Sequence, residues 1–179
     1  MRTPRKSTVL TLSGAATLVA GIALLPAVAT ADPYEDAHTG GGVLEGPFVT
    51  DRLEEAFLDH DGDGLPSLGD ELVYTNSATG PGGETVDTGS CVFHLVDLAA
   101  DSAVLDCITT SAGPRGAITA QGVARTGIAS PVLHEPATWA VTGGTGDFAS
   151  ASGEVHIERF EGTGLDFRSY GWVRIVLDG

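Results

Sequence analysis

Lysine is all but missing from this chain. Its single copy, Lys6, stands among the first residues, so no lysine exists beyond that point. A Schiff-base lysine and the phosphate-cradling lysine of a P-loop are thereby excluded from any folded domain downstream. Serine hydrolase chemistry has no anchor either, because no Gly-x-Ser-x-Gly elbow occurs. His134-Glu135 has no second histidine four residues after the first, so the zinc-protease helix is absent. Positive charge is scarce as a whole, with 9 Lys and Arg against 24 Asp and Glu and a net charge of −15. That balance argues against nucleic acid and anionic membrane surfaces, both of which need basic patches. Carboxylates are so common that no pair can be singled out for glycosidase work. Cysteine is limited to Cys91 and Cys107.

Arg2, Arg5 and Lys6 precede an uncharged, mostly apolar run from Val9 to Ala29, and Ala29-Thr30-Ala31 is a small-x-small cleavage site. This pattern predicts a secretory signal peptide over 1–31, with a retained membrane anchor as the alternative. No cysteine follows the run, which leaves no site for a lipid-modified N-terminus. Cleavage removes three of the nine basic residues and none of the 24 acidic ones, taking the balance from −15 to −18. The remainder is one domain's worth of chain, expected to be secreted and, once cleaved, to have no membrane partner. Export makes a Cys91–Cys107 disulfide the default, closing a loop that is worth roughly 3 kcal/mol in the chain-entropy model. It would also consume both thiols and remove a cysteine nucleophile.

Residues 32–46 are polar and glycine-containing without periodicity, and read as a flexible mature N-terminus. Residues 47–58 read as a strand or a short helix, since Arg52-Leu53-Glu54-Glu55-Ala56-Phe57-Leu58 has a helical composition. Asp59-His60-Asp61-Gly62-Asp63-Gly64-Leu65-Pro66-Ser67-Leu68-Gly69-Asp70 places acids at loop positions 1, 3, 5 and 12 and glycine at 6. That is close to an EF-hand calcium loop, in which oxygens converge on one hard cation. Asp59, Asp61, Asp63 and Asp70 are therefore candidate calcium ligands. Against this stand Pro66 at position 8, the short Asp70 at position 12 and the lack of an exiting helix. The other reading is an Asp/Gly turn leading into a strand.

Strands are expected over 71–78, 84–96, 103–112, 116–125, 137–142, 152–161 and 165–177, with Thr79-Gly80-Pro81-Gly82-Gly83 as a loop and a further loop over 127–136. A hairpin centred on Ala99 pairs Cys91 with Cys107, Phe93 with Leu105 and Leu95 with Ala103. One register thus aligns the disulfide with an apolar face. Along 165–177 the odd positions Leu165, Phe167, Val173, Ile175 and Leu177 are apolar, the period-two pattern of a long strand. About eight strands and no strong helix predict an all-β barrel or sandwich.

The stretch that decides between them is Val141-Thr142-Gly143-Gly144-Thr145-Gly146-Asp147-Phe148-Ala149-Ser150-Ala151-Ser152-Gly153-Glu154. Gly144-Thr145-Gly146-x-x-Ala149 spells a dinucleotide fingerprint, but that motif needs a helix next. Here an alternating strand pattern follows, so Gly143, Gly144, Gly146 and Gly153 read as a structural corner between antiparallel strands. The whole stretch resembles the pattern of the allene oxide cyclase and dirigent barrel family, as a bacterial, secreted member. A second element, Pro66-Ser67-Leu68-Gly69-Asp70-Glu71-Leu72-Val73-Tyr74, in which a Gly-Asp pair opens an apolar strand, extends the resemblance over roughly 47–177.

The resemblance implies an eight-stranded antiparallel β-barrel of calycin type over 47–179, with an internal cavity. It implies a small hydrophobic molecule as partner, whose cyclisation, isomerisation or stereoselective coupling is steered by positioning and water exclusion. A non-catalytic, lipocalin-like carrier, calcium-stabilised or not, is the alternative. No cofactor is required, and assembly as a trimer is known in relatives. Candidate pocket residues are the polar or aromatic ones within strands: Tyr74, His94, Trp139, His156, Arg168, Tyr170 and Trp172. An inward Arg168, Tyr74 or histidine beside an open cavity favours catalysis or guidance, a uniformly apolar interior favours carriage, and a cavity filled by Trp139 and Phe side chains undermines both.

Overall fold

A computed structural model describes residues 42–129 and 132–177. The expected signal peptide and residues 32–41 lie outside the described residues. Eight strands follow one another: β1 (Gly42–Leu58), β2 (Glu71–Gly80), β3 (Gly83–Asp97), β4 (Ser102–Gly113), β5 (Gly116–Thr126), β6 (Ala137–Gly144), β7 (Ser152–Glu161) and β8 (Arg168–Leu177). Each pairs antiparallel with the next, and β8 returns to β1 from Gly42↔Leu177 to Asp51↔Arg168, closing a barrel. Closure gives every strand two neighbours, although β5 and β6 pair only from Ile118 to Gln121. Among the described residues the only helical pieces are two short 3-10 turns, Gly146–Phe148 and Gly164–Asp166. None of their helices is long and apolar enough to cross a membrane.

Several boundaries differ from the sequence reading. Strand β1 starts at Gly42, inside the segment expected to be flexible, because Val43 to Gly46 find backbone partners on β8. Helical composition over 52–58 is overridden by pairing with β2. The loop after β2 shrinks to Pro81-Gly82, since Gly80 and Gly83 pair directly. Strand β8 begins at Arg168; Leu165 sits in a 3-10 turn and is exposed.

The β3–β4 hairpin holds Cys91 opposite Cys107 and Phe93 opposite Leu105, and the disulfide is formed. The register then shifts. Leu95 faces Val104 and Val96 faces Ala103, where the sequence reading paired Leu95 with Ala103. His94 is the extra residue of a β-bulge, which turns Leu95 outward (53% exposed) and lets Val96 pack on the core.

Beyond Gly144 the chain makes no α-helix, so the glycines form a corner and not a nucleotide loop. Gly146 takes a left-handed φ of 61°, and a Cβ there would stand 2.5 Å from the Arg115 carbonyl oxygen. Glycine is required on both counts. The corner seats Phe148 in an apolar cluster with Val141, Ala151, Val173, Ile175 and Leu177. A second cluster gathers Cys91, Phe93, Leu105, Cys107, Trp139 and Ile157.

Candidate functional site

The barrel encloses a cavity of about 480 Å³ that takes lining residues from both ends, from Phe57 and Phe160 to Pro81 and Phe148. Most of its wall is apolar: Phe48, Leu72, Phe93, Leu105, Trp139 and Val173 are typical. One side differs. Thr50 and Arg52 from β1, Tyr74 and Asn76 from β2, Asp87 from β3, and Thr109 and Ser111 from β4 bring a polar stripe inside.

A bulge in β1 follows the start of this stripe. Arg52 pairs with Asn76 and Glu54 with Thr75, so Leu53 has no partner. The extra residue moves Glu55 and Phe57 to the inner side, where both line the cavity, and leaves Leu53 half exposed outside. The Arg52 side chain is 4% exposed. Its Nε donates to Asn76 Oδ1 at 2.7 Å and its Nη1 to Glu55, which sits at the mouth. The guanidinium carbon lies 4.7 Å from the Tyr74 ring centroid and 4.5 Å from that of Phe167, a cation–π setting. Burial lowers the Arg52 pKa, with Glu55 and Tyr74 opposing it, and arginine keeps its proton in proteins.

Tyr74 reaches the interior because Gly89 lies opposite it on β3 and offers no side chain to meet the ring. Burial holds its phenol above the ordinary pKa, so it stays a neutral donor. Asp87 is 7% exposed, and Thr85 Oγ1 donates to its Oδ1 at 3.2 Å. Burial raises the Asp87 carboxyl above the usual carboxylate range, and hydrogen bonds from Ser111 and Thr85 oppose this. Ionising a carboxyl in such surroundings costs more than in water. Trp139 lies across Gly122 in the same way that Tyr74 lies across Gly89, and its indole N–H is buried without a protein acceptor.

Of the seven residues singled out from sequence, the structure brings Tyr74 and Trp139 into the cavity wall. The other five are not part of it. His94 is exposed on the outer surface, 3.9 Å from Asp106. His156 Nδ1 meets Thr138 Oγ1 at 3.0 Å on the outside. Arg168 pairs with Asp51, and Tyr170 carries the Arg159 guanidinium 3.9 Å above its ring. Trp172 alternates with the inward Gly171 and Val173 and points away from the wall. Strand parity explains these placements: even positions of β8 face outward. Sequence reading missed Arg52 and Asp87. Arg52 stands in a charge-rich run that resembles an exposed helix, although its inward place follows the parity of Phe48 and Thr50 before the bulge. Asp87 was findable by parity, since it lies four residues before Cys91 and therefore on the same face.

The Asp59–Asp70 loop is separate from the cavity's polar stripe. Asp59, Asp61 and Asp63 have carboxylate oxygens within 4.8 Å of one another. They accept backbone N–H groups of their own loop: Gly62 and Gly64 donate to Asp59, Asp63 to Asp61 and Leu65 to Asp63. Asp70 is not with this trio. It is buried, and its two oxygens accept from the N–H groups of His60 and Ser67. Those bonds, His60 first, hold its pKa below the ordinary value.

No family model matches the chain, and no curated protein matches it significantly. Solved structures do. A pyocyanin demethylase is 23% identical, with a TM-score of 0.55 over 73% of this chain and 98% of that one. A pterocarpan synthase dirigent protein is 10% identical, with a TM-score of 0.53 over 87% of this chain and 100% of its own. A nonspecific heme-binding cyclase that catalyses a cycloaddition during neoabyssomicin biosynthesis is 12% identical, with a TM-score of 0.51 over 80% of this chain and 66% of that one. At these identities the likeness establishes the fold, the closed eight-stranded barrel of the dirigent and cyclase-like proteins.

Proposed function

We propose that this chain is an exported barrel protein that takes up a small, largely hydrophobic molecule and steers its cyclisation, isomerisation or stereoselective coupling. The observation that carries this reading is the polar stripe of Arg52, Tyr74, Asn76 and Asp87 on one side of an otherwise apolar cavity. A carrier needs only apolar wall, and each buried polar group costs stability that an apolar side chain would not. A carboxyl with a raised pKa inside a cleft is a marker of function.

In this reading Asp87 is the proton donor or acceptor, and Tyr74 supplies a neutral hydroxyl that orients the molecule. The rings of Phe48, Phe93 and Trp139 fix its conformation and keep water out. Structural neighbours named for a demethylation, a pterocarpan synthesis and a cycloaddition lend support in the same direction. A disulfide in the cavity wall fits an oxidising, extracellular setting.

Native mass spectrometry of the secreted chain tests the proposal by identifying any co-purified molecule. Returned to fresh protein, that molecule is expected to emerge as a product of altered retention time. Asp87→Asn is expected to slow the conversion by about 10²–10⁴-fold, the usual contribution of a general acid or base. Recovery unchanged from both proteins would make the chain a carrier.

A further inference from the structure

We infer that the molecule held in this cavity carries an anionic oxygen, a carboxylate or phenolate, that docks on the Arg52 guanidinium. The inference rests on the proposed function, in that it assumes the cavity is a ligand site, and it names the chemistry of that ligand.

Arg52 is held in a defined pose before any ligand arrives. Asn76 takes Nε, Glu55 takes Nη1, and the rings of Tyr74 and Phe167 pack against the guanidinium. The remaining donor, Nη2, belongs to a group that lines the cavity. A charge this deeply buried is costly unless its donors are met. A pre-positioned, incompletely used guanidinium is the ready-made partner of an oxyanion.

The other charges of the wall agree. Glu55 meets Arg52 directly at Nη1 from the mouth, where its own side chain is 30% exposed, and leaves Nη2 unengaged. Asp87 is biased toward its neutral form by burial. Arg115, the second cation of the lining, gives its Nε to Asp147 and packs over the Phe148 ring, and its Nη1 and Nη2 are buried without a hydrogen-bond partner. Arg52, set beside Tyr74, Asn76 and Asp87 in the polar stripe, is the cation placed to meet a ligand there.

The test compares two fluorescent probes of one skeleton, anilinonaphthalene sulfonate and the uncharged phenylnaphthylamine. The wild-type chain is expected to bind the anionic probe roughly tenfold more tightly, as one charge-assisted hydrogen bond allows. Arg52→Gln is expected to erase that preference while the neutral probe still binds. Equal wild-type affinities, or an unchanged ratio in Arg52→Gln, would overturn the inference. If Arg52→Gln loses the neutral probe as well, Glu55→Gln decides. Removing the counter-charge at the mouth should raise the ratio, and an unchanged ratio counts against Arg52. A wild-type chain that binds neither probe would instead defeat the ligand-site reading on which this inference stands.

Discussion

Tyr74 lies across Gly89 of the neighbouring strand, so closely that a Cβ on Gly89 would stand 2.7 Å from the Tyr74 hydroxyl oxygen. The same Cβ would come within 2.5 Å of the Ile108 carbonyl oxygen, so moving the ring alone would not make room. Gly89→Ala is therefore expected to destabilise the barrel by about 1–3 kcal/mol, the usual range for overpacking. It should also displace Tyr74 and weaken binding of a neutral apolar probe. Chemical denaturation and probe titration read the two effects. A variant as stable as the parent would show that the notch is not needed.

The unpaired residue Leu53 makes a second, sharper handle. Deleting it joins Arg52 directly to Glu54, which keeps Glu54 opposite Thr75 and leaves Glu55 and Phe57 on the inner face. The expected variant keeps a β-rich circular dichroism spectrum and binds a neutral apolar probe within about twofold of the parent, because Glu55 still faces Tyr74 and Phe57 still faces Leu72. Loss of probe binding would mean that the deletion slips the β1–β2 register and that the extra residue is needed to hold it.

The Asp87 carboxyl sets the pH dependence. Its folded pKa lies above the unfolded one, so the folded state holds the extra proton between the two values. Stability from this group is then full below the unfolded pKa and is lost as pH rises through the folded pKa. Asp87→Asn should match the wild type in acid and become the more stable protein toward neutral and higher pH. Thermal melts across that window check the sign. A gap that widens toward acid would mean that Asp87 is stabilised as its anion.

Much of the barrel was legible in the sequence because its signals are local. Period-two alternation, glycine-proline punctuation and the Cys91/Cys107 register each sit within one hairpin. Errors arose where one residue slips in. The bulge at His94 undid the Leu95–Ala103 pair, the bulge at Leu53 turned Glu55 and Phe57 inward, and the helical composition of the same run hid Arg52. The interior was harder to read, since facing inward is a property of a strand's parity within a closed sheet. Tyr74 and Trp139 were legible as aromatic residues in strands, but so was Trp172, and only the wall's actual parity separates them.

Cys91 and Cys107 stitch β3 to β4 in the cavity wall with a sequence separation of 16. Replacing both with alanine should lower unfolding free energy by about 2–5 kcal/mol, chiefly by freeing the unfolded chain. The denaturation midpoint reports it. A change below about 1 kcal/mol would mean that the strand ladder alone fixes this hairpin.

The last prediction concerns the acidic loop. Its three clustered carboxylates are already engaged by their own backbone N–H groups, and Asp70 ties the loop's ends by accepting from His60 and Ser67. The loop therefore has an internal source of order, and EDTA is expected to leave the melting temperature unchanged. Asp70→Ala should lower it with or without the chelator. Because the Asp70 pKa is depressed when folded, its contribution is present above the ordinary carboxylate pKa and fades as pH falls through the folded value. The difference between Asp70→Ala and wild type should accordingly narrow in acid. A melting temperature that climbs with added calcium and falls with EDTA would instead make Asp59, Asp61 and Asp63 the ligands of a structural ion.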